Sequence, residues 1–289
     1  MTSAAVVSQS PKTVWAEPFL KWAGGKRQLL NVYGRYFPTR YERYFEPFLG
    51  SGGVFFELRP AHAVLSDIVE ELTQTYLVVR DNVESLITSL KQHSNTEQYF
   101  YRIRSLDPRS LSPVEQASRF VYLNRTCYNG LFRVNRGGQF NVPFGRYKNP
   151  RICDPDGLRA VSLALQDAVI QPGDFEEVLA AANPGDFIYL DPPYNPLSTT
   201  SSFTAYSRRG FDGQDQERLA EVCRRLDRRG CLVMLSNSDT SMVQRLYAGL
   251  RVIRVDARRA INSRADGRGP ISELLVLNYD DPRPARQGT

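Results

Sequence analysis

Apolar, β-branched and aromatic residues fall into short runs along this chain, at Tyr44–Phe48, Ala63–Ser66, Ala168–Gln171, Phe187–Leu190, Cys231–Leu235, Arg251–Val255 and Ile271–Asn278. Each is the length of a strand. Between them the spacing of apolar positions becomes helical: one stretch opens at Ser66-Asp67 and runs to about Leu90, and another covers Glu217–Leu226. Alternation of the two periods over most of the chain predicts an α/β fold, a mixed, mostly parallel sheet with helices on both faces.

The stretch from about Asn95 to Pro155 breaks that rhythm. It begins with a helical piece, Pro113–Asn124, and then becomes rich in Arg, Asn, Gly and aromatics. Arg133–Val142 has the pattern of a β-hairpin, with Gly137-Gly138 supplying positive φ at its tip. The division expected is an arm over residues 1–16, an α/β domain assembled from 17–90 and 156–280, a helical and hairpin-bearing module inserted at 91–155, and a tail at 281–289.

Composition narrows the function. A chain of 289 residues with 42% hydrophobic content buries a substantial core. Its formal charge of +6 is concentrated in arginines at 125–151, 224–229 and 251–268, which suits a polyanionic partner. The 4 cysteines form no C-x-x-C pair and only 2 histidines are present, so no metal site is expected. Free thiols without a signal-peptide pattern fit a reducing cytoplasm, and apolar runs of strand length predict no membrane span. Nothing calls for an obligate oligomer, so a monomer is expected.

Phe187-Ile-Tyr-Leu-Asp191-Pro192-Pro193-Tyr194 is the most informative segment. A buried strand ending at Leu190 delivers Asp191 and Tyr194 to the carboxyl edge of the sheet, where open α/β sheets bind ligands. Two prolines end the ladder and leave a turn with carbonyl acceptors but without two amide donors. An exocyclic amino group needs that arrangement, because its lone pair is delocalised into the ring. Acceptors at the Asp191 carboxylate and the Pro192 carbonyl take its two N–H groups and draw the nitrogen toward a tetrahedral, nucleophilic shape. Tyr194 stacks on the base. The same four residues also make an ordinary polar strand-to-loop turn.

Three further segments pair a binding reading with a structural one. Glu46-Pro-Phe-Leu-Gly50-Ser-Gly52-Gly53 joins a strand to a helix, either as a close-approach ligand loop or as a plain tight turn; it is neither a dinucleotide fingerprint nor a P-loop. Asp67 accepts from ribose hydroxyls or caps the helix that follows, and Asp174 either meets a cofactor adenine, with Phe175 against the ring, or forms a capping box with Glu177. Pro18-Phe-Leu-Lys21-Trp22-Ala-Gly24-Gly25-Lys26 offers Trp22 to an apolar pocket and Lys26 to a carboxylate, or reads as a capping loop with a core tryptophan.

In order and content, Phe19–Lys26, Glu46–Gly52 and Asp191–Tyr194 together resemble the DNA adenine methyltransferase (Dam) family, the α-group or D12 class of N6-adenine-specific DNA methyltransferases. The resemblance spans about Pro18 to Tyr279. It implies a Rossmann-like methyltransferase fold with an inserted target-recognition module, and S-adenosylmethionine as methyl donor. The methyl group would pass directly to N6 of an adenine flipped out of duplex DNA, with no metal. Carried over residue by residue, Trp22, Lys26, Asp67 and Asp191 contact the cofactor, together with Asp174 and Phe175, while Asp191, Pro192 and Tyr194 activate the base. Asn195–Tyr206 resembles the family's loop after the catalytic motif.

The hairpin region Asn124–Lys148 resembles that of members methylating GATC. Arg133 then reads a guanine through O6 and N7, Asn129 and Leu131 contact or wedge into bases, and Lys21 meets the outer guanine. Arg146 and Lys148 hold phosphates. The resemblance implies a bacterial or phage enzyme acting on nucleoid DNA, either as an orphan or beside a restriction endonuclease. Rivals are an RNA N6-adenine methyltransferase, an N4-cytosine enzyme and a non-catalytic DNA-binding relative.

Overall fold

The computed structural model describes residues 15–26, 29–135, 137–194, 210–257 and 271–280. Among these, seven strands form one sheet: β1 (Tyr44–Glu46), β2 (Ala63–Asp67), β3 (Ala168–Pro172), β4 (Phe187–Leu190), β5 (Leu232–Ser238), β6 (Arg251–Ala257) and β7 (Ile271–Leu277), in the order β3-β2-β1-β4-β5-β7-β6. The first five pair in parallel, and β7 lies antiparallel between β5 and β6. The sheet is therefore the mixed, mostly parallel one the apolar pattern predicts. β1 stops at Glu46 rather than Phe48 because Pro47 has no N–H for the ladder. β5 runs past Leu235 through Ser236, Asn237 and Ser238, all buried.

Alternation along the strands sends side chains into two cores. On β4, Phe187 and Tyr189 join one apolar cluster while Ile188 and Leu190 join the other. The helices that cover them are α1 (Leu30–Tyr33), α2 (Gly53–Leu58), α3 (Glu70–Asp81), α4 (Val83–Leu90), α5 (Glu97–Ser105), α6 (Pro113–Thr126), α7 (Pro155–Ala164), α8 (Phe175–Leu179), α9 (Gly213–Arg228) and α10 (Ser241–Leu246). Residues of α8, α9 and α10 fill the second core; those of α3, α6 and α7 fill the first. The long helical stretch expected from Ser66 to Leu90 is two helices. Asp67 still belongs to β2, and Asn82, at φ −137° and ψ 36°, breaks the run between α3 and α4. No helix among the described residues is long and apolar enough to cross a membrane.

Segment 91–155 shares the first core. Leu72, Tyr76 and Val79 of α3 belong to the same cluster as Phe120, Val121 and Leu123 of α6, and so do Phe132, Phe140 and Val142 beyond it. α6 starts sharply, with Pro113 at its first turn and a reciprocal Ser112–Glu115 cap. The hairpin follows: Val134 bridges Phe140, the Asn141 amide donates to the Arg133 carbonyl at 3.0 Å, and Gly138 takes the tip at φ +79°. Arg136 lies outside the described residues, as do 195–209, which include the loop expected after the catalytic motif, and the arginine-rich 258–270.

The strand order locates a crevice. From β1 the chain proceeds to β2 and β3 on one side, while β4 leads to β5 on the other, so the connections leaving β1 and β4 diverge at their carboxyl ends.

Candidate active site

Four loops leave the carboxyl ends of β1 to β4 and enclose a cavity of about 620 Å³. Trp22, Lys26, Asp67, Asp174, Phe175, Asp191, Pro192 and Tyr194 all line it, drawn together from segments far apart in sequence. Lys21, Asn129, Leu131, Arg133 and Arg146 are not among its lining residues.

The β1–α2 loop forms one wall. Gly50 has φ +49°, and a Cβ there would lie 2.6 Å from Cδ1 of Trp22, so the tryptophan sits flat on a backbone that only glycine permits. Asp67 holds this loop from below: Oδ2 accepts from the Gly50 amide and Oδ1 from the Val69 amide, each at 3.0 Å. Burial pushes its carboxyl up to about 6 despite those amides. It does not cap α3, whose N-cap is Val69. Glu46 is more deeply buried. It accepts from the Tyr44 hydroxyl at 2.7 Å and the Phe55 amide at 3.2 Å, yet desolvation raises it to about 8.

On the far wall Asp174 caps α8 through the Glu176 amide at 2.9 Å, rather than through a reciprocal pair with Glu177. Its two oxygens also receive Nη1 and Nη2 of Arg218, each at 2.8 Å, and that guanidinium lies 4.3 Å over the Phe175 ring. The result is a braced apolar and acidic corner.

The Asp191–Tyr194 turn closes the opposite end. Asp191 Oδ1 receives Lys26 Nζ at 2.9 Å and the Ser236 hydroxyl at 2.8 Å, and its side chain is 21% exposed. Burial raises its carboxyl above the usual range, with Lys26 the chief opposing influence. Lys26 is itself buried, donates to the Gly24 carbonyl at 2.9 Å and lies 4.3 Å over the Tyr194 ring. The Pro193 carbonyl accepts from Gln216 at 3.1 Å, and Gln216 is held in turn by Asn237 at 2.9 Å. That spends the second proline's carbonyl inside the protein, while the described residues supply no donor to the first.

Sequence reasoning missed Ser236, Gln216, Arg218 and Glu273. The polar run Ser236-Asn237-Ser238 directly after an apolar strand was the available signal for the first.

The basic surface beside the cavity is composite. Asn124, buried on α6, accepts from the Lys21 amide at 2.8 Å and donates to the carbonyls of Lys21 at 2.7 Å and Gly130 at 3.2 Å. It therefore pins the amino-terminal segment to the turn carrying Asn129, which is exposed at φ 54°. Lys21 Nζ lies 4.2 Å over the Tyr147 ring. Arg133 Nε donates to Asn141 at 2.7 Å, which aims the guanidinium and leaves its terminal nitrogens outside that bond. Leu131 is half-buried, and Arg146, 80% exposed, is 3.9 Å from Glu97. Phe132 faces inward and stacks on Trp22 at 5.5 Å, so one aromatic contact joins this surface to the cavity wall. By contrast, the arginines at 224–229 are largely consumed internally. Arg224 and Arg228 pair with Glu221, Arg225 with Glu176, and Arg229 donates to carbonyls at the end of α8.

A doubly covered sheet of this order, with a ligand crevice and an Asp-Pro-Pro-Tyr turn at its switch point, defines a Rossmann-like methyltransferase. The model of the D12 class N6 adenine-specific DNA methyltransferases matches residues 22–261. The chain is 44% identical over 270 residues to the type II methyltransferase M1.LlaDCHI of Lactococcus lactis subsp. cremoris, covering 91% of this chain and 95% of that one. It is 41% identical over 286 residues to the type II methyltransferase M.MjaIII of Methanocaldococcus jannaschii, covering 91% and 99%. To the DNA adenine methylase of Escherichia coli it is 36% identical over 263 residues, covering 90% and 94%. The chain belongs to the D12 class of N6-adenine-specific DNA methyltransferases, a family that uses S-adenosylmethionine as methyl donor.

Proposed function

We propose that this adenine-specific DNA methyltransferase modifies GATC in duplex DNA, with Asp191, Pro192 and Tyr194 as its catalytic set. The observation that carries the catalytic reading is the division of labour around Asp191. Oδ1 is taken by Lys26 and Ser236, so Oδ2 remains to accept from a substrate amino group, beside the Pro192 carbonyl.

The cavity suits S-adenosylmethionine. Its glycine wall admits a ligand against backbone, Asp67 keeps acceptor capacity for ribose hydroxyls, and Phe175 with Asp174 offers an aromatic and acidic corner for an adenine. Trp22 lines the remaining apolar side, and Lys26 serves the cofactor end through the Asp191 it holds. When bound, that cofactor supplies an electrophilic methyl group. The protein's own part is to hold the flipped base on Tyr194, to accept both N6 protons and so localise the lone pair, and to exclude water. The product nitrogen then sheds a proton toward the Asp191 carboxylate that already accepts from it.

Duplex DNA would lie over Lys21, Asn129, Leu131 and Arg133, with Arg146 on phosphate. GATC rests on the resemblance of that hairpin. We take 17–90 and 156–280 as the methyltransferase domain and 91–155 as the recognition module, acting as a monomer in the cytoplasm. Two relatives bear type II methyltransferase names, which supports a place beside a restriction endonuclease. The test is modified-base sequencing of plasmid DNA treated with purified protein and S-adenosylmethionine. N6-methyladenine confined to GATC supports enzyme and target; the mark in another context discards the hairpin assignment and keeps the chemistry.

A further inference from the structure

Glu273 sits near the start of β7. Because β7 is antiparallel, its first residues lie where the parallel strands end, and its register sets Glu273 opposite Ser238 of β5. The side chain is only 15% exposed. Its Oε2 accepts from the Tyr194 hydroxyl at 2.6 Å and the Tyr33 hydroxyl at 3.0 Å, and lies 3.9 Å from Lys26 Nζ. One oxygen accepting two hydroxyls beside an ammonium is a carboxylate acceptor placed behind Tyr194 and Lys26, which line the cavity.

Tyr194 is consequently held at two places, by its hydroxyl on Glu273 and by one ring face on Lys26. A tyrosine ring otherwise swings about two side-chain bonds, and a stacking platform works best when its plane is set before the base arrives. We infer that Glu273 is a positioning residue for methyl transfer, acting through the Tyr194 hydroxyl to fix the ring on which the flipped adenine stacks. This rests on the reading of Tyr194 as the base-stacking residue.

The experiment uses the full-length protein and two readouts. One is the single-turnover methylation rate with S-adenosylmethionine. The other is the fluorescence of duplexes carrying 2-aminopurine at the methylated position, bound with S-adenosylhomocysteine. Glu273→Ala should lower the rate on the order of 10- to 100-fold and raise the fluorescence, as an extruded base loses its stacking partner. Affinity for S-adenosylmethionine should stay close to the parent's, while the melting temperature should fall by a few degrees because the buried Tyr33 hydroxyl loses its acceptor. Glu273→Gln keeps an oxygen that accepts both hydroxyls and should recover the rate to within roughly threefold. Tyr194→Phe, which keeps the ring and loses the hydroxyl, should match Glu273→Ala, and the double variant should be no slower than either. A fully active Tyr194→Phe overturns the inference even if Glu273→Ala fails to fold. So does a Glu273→Ala effect that persists undiminished on the Tyr194→Phe background. Tyr194→Ala separates the two claims: unchanged fluorescence there refutes base stacking itself, whereas a change there without one in Glu273→Ala refutes only the role of Glu273.

Discussion

Lys26 Nζ stands 2.9 Å from Oδ1 of Asp191, and this contact sets the charge state of the turn. Burial drives the Asp191 carboxyl upward and Lys26 opposes it most. Lys26→Met should therefore raise the carboxyl further. On the proposed role, an ionised Asp191 accepts the hydrogen bond from N6, so activity should fall as pH falls through its folded value. The acid limb of the kcat/KM profile should move to higher pH in Lys26→Met, and part of the lost rate should return in alkaline buffer. A limb that stays in place would mean that Lys26 contributes no field at Asp191.

Asp191→Asn leaves the volume nearly unchanged and replaces a charged acceptor with a neutral amide. Transfer should fall about 10²- to 10³-fold, the scale of losing one aligned group at a reacting centre. Equilibrium binding of duplex DNA should survive, because Lys21, Asn129, Leu131, Arg133 and Arg146, proposed to hold the duplex, lie outside the cavity that contains Asp191. The check is a filter or anisotropy titration run beside the methylation assay. Near-normal turnover would remove Asp191 from the chemistry.

Glu46 makes stability depend on pH. Its folded value is about 8, against an ordinary value of 4.5. A raised carboxyl binds its proton more tightly in the folded chain, so the stability it confers is complete below about pH 4.5 and is lost as pH rises through 8. Glu46→Gln can still accept from Tyr44 and Phe55 while having no proton to lose. Its melting temperature should fall less than the parent's between pH 6 and pH 8.5, by several degrees, at roughly 2–4 °C per kcal/mol. Parallel melting curves would show that Glu46 does not titrate in this window.

Much of this was legible in the chain. Strand-sized apolar runs marked the sheet and Pro192-Pro193 marked the end of β4, whereas the expected first strand ran through Pro47, which cannot donate to a ladder and ends β1 at Glu46. Asp67, Asp174 and Asp191 lie at the carboxyl ends of β2, β3 and β4 and meet in one cavity for that reason, while Trp22 and Lys26 reach it from the segment that precedes α1. Local pattern was silent on Glu273, which reaches the site only because β7 turns antiparallel, a choice made by tertiary pairing. Ser236 and Asn237 resemble loop residues until one sees that they extend β5 beneath Asp191 and Gln216. The arginines at 224–229 misled in the other direction: charge density in sequence does not report that Glu221, Glu176 and helix-end carbonyls already occupy it.

Arg133 and Arg146 make the sharpest contrast on the basic surface. Arg133 is half-buried, with Nε anchored to Asn141, so its fork is aimed and little ordering remains to be done when it meets a base edge. Arg146 is 80% exposed and 3.9 Å from Glu97, a loose arrangement that fits a point charge on phosphate. Arg133→Ala should cost roughly 1–3 kcal/mol on the cognate duplex and relax discrimination at one base pair. Arg146→Ala should weaken every duplex alike and lower the salt slope by about 1. Titrations of cognate and single-mismatch duplexes across a salt series separate the two. If Arg133→Ala weakens all sequences equally, its aimed fork reads the backbone and the specificity of the hairpin lies with Asn129 and Leu131.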